Sequence, residues 1–328
     1  MKPRVGFLGV GWIGRHRMEA MLATGLVEAA AIVEPGDEMA DAALTAAPGA
    51  ARVSSYDELL AMGLDGIVIA TPSALHAEQS IRALEAGAAV FCQKPLGRSA
   101  DEARAVVEAA RRADRLLTVD LSYRFTATMD AIAPLVRGGE LGRVHAVDLV
   151  FHNAYGPDKP WFYDRAQSGG GCVMDLGVHL VDLALWTLGF PEVEQVHAAL
   201  STGGEPMRAG DSRVEDYAVA TLRLAGGTIV RLACSWRLQA GQEAAIEASF
   251  YGTNGAAAMR NVGGSFYDFE ADRYHGTTRT RLIAPPDAWG GRAAGDWARR
   301  LAAGERFGSE AEELVCTAAA LDAIYAAA

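Results

Sequence analysis

Strand, glycine turn, helix, strand, acidic residue: this order over the first 34 residues constrains the fold more than any other feature. An apolar run, Arg4–Leu8, enters Gly9-Val10-Gly11-Trp12-Ile13-Gly14, and a helical pattern, Ile13–Thr24, follows. In such a turn the first glycine permits the tight bend and the second lets backbone approach a pyrophosphate. The third lets helix and strand pack closely. Free N–H groups at the helix start then attract an anion, and Trp12 and Ile13 sit at that start. Glu34 falls 20 residues after Gly14, at the end of the expected second strand Val27–Val33. A carboxylate there accepts from ribose hydroxyls and repels a 2′-phosphate. Pro35 and Gly36 follow and bring no cation, so NAD is expected over NADP unless Arg15 or Arg52 reaches the site.

The same grammar continues to about residue 122. Strands are expected at Gly66–Ala70, Ala88–Cys92 and Leu116–Val119, with helices at Asp37–Ala46, Ala74–Ala86 and Ala100–Ala113. Unbroken Val/Ile runs such as Gly66-Ile-Val-Ile-Ala70 mark strands buried on both faces, and strand–helix alternation gives a doubly wound parallel sheet. After about residue 140 the pattern changes. Longer strands are expected at Val144–His152, Val193–Leu200, Tyr217–Leu224, Thr228–Trp236 and Ala245–Tyr251, with a hairpin at Gly226-Gly227. One helix, Val173–Leu188, interrupts them and another, Ser309–Ala326, closes the chain; 201–213 and 284–295 read as loops. The expected architecture is α/β: a Rossmann domain at 1–122, then an α+β domain at 123–328 with an open, mostly antiparallel sheet.

Thirty basic against 41 acidic side chains leave a net charge of −11, which disfavours nucleic acid or anionic membrane as main partner. Cys92, Cys172, Cys234 and Cys316 lie far apart with no C-x-x-C pair, which suits a reducing compartment rather than a disulfide or zinc framework. The run Val5–Gly14 superficially resembles a signal peptide. Arg15, His16 and Arg17 break it with no small-residue cleavage site behind, so it reads as strand and turn. No uninterrupted apolar stretch is long enough to span a bilayer, and the expected location is cytoplasmic.

Two segments carry the chemistry. Phe91-Cys92-Gln93-Lys94-Pro95 follows the fifth strand, where ligands of doubly wound sheets bind beyond the carboxyl ends, so Lys94 is expected on the nicotinamide side. A glycine loop, Ser168–Cys172, feeds the helix on which Asp175 and His179 are spaced i, i+4 and share a face. Asp182 is placed to orient the imidazole. Asp175 and His179 also suit a zinc site, but no third ligand accompanies them, so no metal is expected.

These pieces together resemble the Gfo/Idh/MocA family of dehydrogenases. The matching motifs are Gly9-x-Gly-x-x-Gly14, Thr71-Pro72-Ser-Ala-Leu-His76, Gln93-Lys94-Pro95, Tyr123-x-Phe125, Gly138-Gly-Glu-Leu-Gly142 and Gly169-Gly-Gly…Asp175-x-Gly-x-His179, in family order. The resemblance implies a Rossmann domain, a substrate and oligomerisation domain, and oxidation or reduction of a sugar, cyclitol or related polyol. It implies that Lys94 contacts substrate and cofactor, that Asp175 binds substrate and that His179 is catalytic. Thr71, Pro72 and His76 match the loop beside the cofactor. Gln93 departs from the usual glutamate: its amide oxygen still accepts from the nicotinamide ribose, but a negative charge beside Lys94 is gone.

The expected chemistry is hydride transfer with His179 as general acid/base and Lys94 polarising the reacting oxygen. Tyr123 and Arg124 at the domain junction, His152 at a strand end and Trp161 in an aromatic run are candidate substrate contacts; structural packing is the competing reading for each. His16 reads as a surface cap, and His145, His197 and His275 as structural. A homodimer or homotetramer is implied by the resemblance and by the need to cover an open sheet. Two other functions fit the same residues: a redox-neutral, NAD-dependent glycoside-cleaving enzyme, and a non-catalytic nucleotide- and sugar-binding regulator.

Overall fold

The computed structural model describes residues 1–208 and 210–328. The chain divides into two compact units, one of Met1–Asp120 with Gly290–Val315, the other of Leu121–Trp289 with Cys316–Ala328.

In the first unit, strands and helices alternate: β1 (Arg4–Leu8), α1 (Trp12–Ala23), β2 (Glu28–Val33), α2 (Asp37–Ala46), β3 (Ala51–Arg52), α3 (Tyr56–Ala61), β4 (Gly66–Ile69), α4 (Ser73–Glu85), β5 (Ala89–Cys92), α5 (Ala100–Ala113) and β6 (Leu117–Val119). The six strands are parallel in the order β3-β2-β1-β4-β5-β6. The direction of winding reverses between β1 and β4, which opens a crevice beyond their carboxyl ends. β4 and β5 are buried along their whole length, as their unbroken Val/Ile/Phe/Cys composition requires of strands covered on both faces. The short β3 and α3 were not expected, since two and six residues carry too little periodicity to read.

The first unit recruits a distant segment. A helix at Arg292–Ala302 places Trp297 fully buried, its ring 5.9 Å from that of Phe91. A Cβ on Gly66 would lie 2.7 Å from the Trp297 indole, so β4 begins with glycine where that ring presses on the sheet. This contact draws 290–315 out of the range 123–328 and turns the end of the supposed loop 284–295 into helix.

The second unit opens with α6 (Ala127–Arg137) and β7 (Val144–Asn153). After α7 (Arg165–Ser168), the expected helix Val173–Leu188 starts as a π turn, Val173–Gly177, and continues as α8 (Val178–Leu188). The helical run Arg165–Leu188 is long and apolar enough to cross a bilayer by length and composition, and 83% of its most apolar window is buried in the unit. Strands β8 (Val193–Thr202), β9 (Glu205–Pro206), β10 (Tyr217–Leu224), β11 (Ile229–Ser235), β12 (Ala244–Gly252), β13 (Ala256–Asn261), β14 (Phe269–His275) and β15 (Thr278–Ile283) complete it. They form one sheet in the order β15-β14-β13-β12-β7-β11-β10-β8-β9, antiparallel except where β7 and β11 pair in parallel. Of the supposed loop 201–213, Glu205–Pro206 pairs with β8, and residue 209 lies outside the described residues.

Alternation decides which face is covered. On β10, Ala218, Ala220, Leu222 and Leu224 are buried while Val219, between them, is 37% exposed. α8 packs on β7 and β11 with Leu180, Leu183 and Leu185 buried, each such leucine contributing about 1.5–3 kcal/mol. A last helix, Glu312–Ala326, ends the described chain.

Candidate functional site

The glycine turn of the first unit is built as its three roles demand. Gly9 has φ +82°, and a Cβ there would sit 2.7 Å from the Ala70 carbonyl oxygen. A Cβ on Gly14 would lie 2.2 Å from the Gly9 carbonyl oxygen, so helix and strand touch through it. A Cβ on Gly11 would meet nothing within 4 Å. The fold thus requires glycine at two positions and leaves the third facing open space. α1 begins there with no side-chain cap and no acidic residue in its first turn, so its leading N–H groups remain available to a pyrophosphate. Trp12, 63% exposed, stands at this opening, and Ile13 follows it in the first turn. A methyl group forced into a close contact costs about 1–3 kcal/mol. Gly11→Ala is therefore expected to leave the melting temperature unchanged and to weaken NAD binding roughly 5- to 150-fold by titration calorimetry. Unchanged affinity would mean that no nucleotide crosses this turn.

Glu34 ends β2 beside the turn. Its Oε2 accepts from the Val10 N–H at 2.9 Å and its Oε1 from the Gly36 N–H at 3.0 Å. Both oxygens keep a lone pair for a ribose diol. Arg52 does reach this corner, but its guanidinium donates to the Glu34 carbonyl at 3.0 Å and pairs with Asp37 at 2.8 Å, while Arg15 lies 3.6 Å from Glu19. At this corner Glu34 presents its carboxylate, while Arg52 and Arg15 are each paired with another acidic side chain.

The loops after β4 and β5 are fastened to each other by His76. This buried ring places Nδ1 2.7 Å from the Pro95 carbonyl oxygen and Nε2 2.7 Å from that of Thr71. Burial pushes its pKa down. A neutral ring donates to only one of the two carbonyls, and an imidazolium to both. The Thr71 hydroxyl donates to Gln79 at 2.6 Å, and Pro72 caps α4. The Thr71-Pro72 and Gln93-Lys94-Pro95 segments thus form one rigid edge at the carboxyl ends of β4 and β5. Gln93 is buried, and its Nε2 donates to Asp120 Oδ2 at 2.7 Å. Arg17 Nε reaches the same oxygen at 2.5 Å and Arg17 Nη1 lies 2.9 Å from His16 Nδ1. His16 stacks at 6.1 Å on Trp12, so it belongs to the turn rather than acting as a plain surface cap.

In the second unit Gly169 has φ +85°, and Gly170 and Gly171 are dictated by close approach. A Cβ on Gly170 would lie 1.9 Å from the Tyr325 hydroxyl, and one on Gly171 would lie 1.9 Å from the Glu215 carbonyl oxygen. Glu215 is buried. Its Oε1 accepts from Gly171 N and Val173 N, both at 2.9 Å, and from the Tyr325 hydroxyl at 2.8 Å. Its own carbonyl accepts from Cys172 N at 3.0 Å. One carboxylate thereby fixes the start of the π turn that carries Asp175. Asp175 Oδ2 accepts from Trp236 Nε1 at 3.0 Å. His179 is 8% exposed and lies against Tyr123, ring centroids 4.8 Å apart, with Phe151 at 6.4 Å.

Asp182 does not orient His179. Its carboxylate is held by Arg124 through Nε at 2.8 Å and Nη2 at 2.6 Å, with the Thr317 hydroxyl at 3.5 Å. Arg124 also faces the rings of Trp186 and Phe190, so its guanidinium is committed to packing rather than to a ligand. Tyr123 is buried among Phe151, Phe269 and Trp289 as well as His179, and burial pushes its phenol pKa up. His152 Nδ1 lies 2.8 Å from the Ser235 hydroxyl and its ring parallels that of Tyr217; partial burial lowers its pKa. Trp161 stacks on Phe162 at 3.8 Å. Among the described residues no group of three or more His, Cys, Asp and Glu is placed to hold a metal ion.

Sequence reasoning passed over Arg17, Asp120, Glu215, Tyr325 and Trp236. The triple glycine itself signalled that bulky neighbours press on that loop, without naming them.

Residues 3–121 match the family described as "Oxidoreductase family, NAD-binding Rossmann fold", and residues 129–258 match the "GFO/IDH/MocA C-terminal domain". The 1,5-anhydro-D-fructose reductase of Ensifer adhaerens is 30% identical over 263 residues, 79% of this chain and 76% of that protein. The D-glucoside 3-dehydrogenase of Escherichia coli (strain K12) is 29% identical over 211 residues, 61% of this chain, and the match spans 60% of that protein's length. The crystal structure of GenD2 from gentamicin A biosynthesis, in complex with NAD, superposes with a TM-score of 0.80 at 25% identity, covering 99% of this chain and 94% of that one. Fold and comparisons place the chain in a family described as oxidoreductases with an NAD-binding Rossmann unit. The chain belongs to the GFO/IDH/MocA family.

Proposed function

We propose that this protein is an NAD-dependent dehydrogenase that interconverts a secondary alcohol and a ketone on a sugar, cyclitol or related polyol. The observation that carries the reading is the helix start that carries the half-buried Asp175 and the buried His179, fixed by Glu215 and Trp236, with Tyr123 and Phe151 against the His179 ring. Aromatic faces suit the C–H faces of a sugar ring, and a carboxylate suits its hydroxyls. The names of the relatives above, a glucoside dehydrogenase and an anhydrofructose reductase, support the same substrate class.

Gly9, Gly11, Gly14, Glu34, Thr71, Pro72, His76, Gln93 and Lys94, with Trp12 and Ile13 at the helix start, are the residues that would hold NAD. The open space at Gly11 and the uncapped start of α1 fit its pyrophosphate. When bound, NAD supplies the acceptor for the hydride that leaves the carbinol carbon. From the second unit, His179 takes the hydroxyl proton and Asp175 accepts a hydrogen bond from a neighbouring hydroxyl. From the first, Lys94 stabilises the developing alkoxide. His152 and Trp161 remain proposed substrate contacts. The reading includes a homodimer or homotetramer paired through the open sheet face, supported by Val219 and Ile229, 37% and 36% exposed. It includes a reducing, cytoplasmic setting, supported by the buried thiols Cys92, Cys172 and Cys234.

The test follows absorbance of reduced nicotinamide with NAD, then NADP, against pooled inositols, aldoses and sugar acids. A rise with NAD that Lys94→Ala abolishes is expected. A faster rise with NADP would overturn the cofactor assignment. Loss of a glycoside with no net change in nicotinamide would replace the dehydrogenase by a redox-neutral enzyme.

A further inference from the structure

We propose that Asp120 is a positioning residue for the nicotinamide half of the cofactor site, acting through Gln93. Asp120 follows β6, and Gln93 follows β5, its neighbour in the sheet. Asp120, Arg17 and Gln93 are all buried, at 1%, 6% and 8% exposure. Asp120 Oδ2 receives both Arg17 Nε, at 2.5 Å, and Gln93 Nε2, at 2.7 Å; Asp120 Oδ1 is buried and accepts from no described residue. A primary amide beside a carboxylate has one stable orientation. Its NH2 faces the carboxylate, and its oxygen faces away as an acceptor.

Three consequences follow from this geometry. Asp120 sets a carboxylate, paired with Arg17, against the residue that precedes Lys94. It dictates that residue 93 be an amide, because a glutamate there would set two carboxylates within hydrogen-bond distance in a buried place. Through Arg17, on the helix that the glycine turn opens, it ties that turn across the sheet to the far edge at β6. Gln93 and Asp120 are thus a donor–acceptor pair that presents the Gln93 carbonyl oxygen to a ribose hydroxyl. The inference rests on the NAD reading above and adds a residue that no motif marks.

The test measures NAD affinity by titration calorimetry without substrate, with AMP as a probe of the adenosine half, beside thermal unfolding. Asp120→Ala and Gln93→Glu are each expected to raise the NAD Kd about tenfold or more, with AMP affinity unchanged. Asp120→Asn keeps an oxygen that accepts from both Arg17 Nε and Gln93 Nε2, and its NAD Kd is expected within about threefold of the parent. A merely structural ion pair would instead lower stability and leave the NAD Kd unchanged. Should Asp120→Ala fail to fold, Gln93→Glu against Asp120→Asn decides. Equal losses for NAD and AMP, or an unchanged NAD Kd in the variants that remove the bond, would overturn the role of Asp120. No NAD binding by the parent protein would overturn the cofactor reading itself.

Discussion

Replacing His179 with asparagine is expected to lower kcat by about 10²–10⁴-fold while NAD affinity stays at the parent value, because a positioned base is lost and no cofactor contact is. Asparagine keeps a polar group against the Tyr123 ring, 4.8 Å from the histidine, so the aromatic wall need not collapse. The pH profile separates this from a packing defect. If His179 takes the hydroxyl proton, kcat/KM of the parent rises along an acidic limb as the ring loses its own proton. That limb is expected to vanish in the variant. A variant that kept more than about a tenth of parental kcat would remove His179 from the chemistry.

Gly171→Ala is expected to destabilise the second unit by about 3 kcal/mol or more. Its Cβ would lie 1.9 Å from a backbone oxygen of Glu215, which no rotamer change relieves. Separating the two segments also strains the Cys172 N–H bond to Glu215 and both N–H bonds to its carboxylate. For a unit of this size the melting temperature should fall by roughly 6–12 °C in calorimetry. A fall under about 2 °C would show that the loop can back away from Glu215.

Glu215 also makes stability depend on pH. Burial is the first cause of its raised pKa, opposed by the N–H and hydroxyl donors. A carboxyl whose folded pKa lies above the unfolded one binds its proton more tightly when folded. The stability it contributes is present below the unfolded value, near 4.5, and is lost as pH rises through the folded value. Glu215→Gln retains an oxygen to accept from Gly171 and Val173. It is expected to flatten that decline in denaturant titrations between mildly acid and neutral pH.

The parallel sheet was legible because its elements are local and strongly patterned. Arg4–Leu8, Asp37–Ala46 and Ala100–Ala113 have the expected bounds, and the buried strands lie within a residue of theirs. The glycine turn was legible for the same reason: its demands are met within six consecutive residues. The three strands Ala256–Asn261, Phe269–His275 and Thr278–Ile283 were missed. The first is alanine-rich, with weak strand preference, and holds its conformation by pairing with β12 and β14. α6 hid behind Pro134 in its interior. The π turn was invisible because its cause, Glu215, lies 42 residues beyond the Val173 N–H it holds. Gln93 was noticed as a departure, yet its partner Asp120 is 27 residues on, and a lone aspartate after a strand carries no pattern. Tyr325 is 110 residues from Glu215. Local chemistry could be read; the long-range partners that hold it could not.

The seating of Trp297 over Gly66 and Phe91 has a bearing on how the protein is made. The ribosome finishes the strands of the parallel sheet by Val119, but the indole that seals them emerges only after the 169 residues Leu121–Trp289. At about 5–20 residues per second that interval is roughly 10–35 s. During it the nascent N-terminal half carries an unfilled apolar hollow beside β4 and β5. A fragment ending at Asp120 would carry that hollow permanently. How long β4 and β5 stay uncovered during synthesis is thus set by an aromatic side chain made well after the sheet it covers.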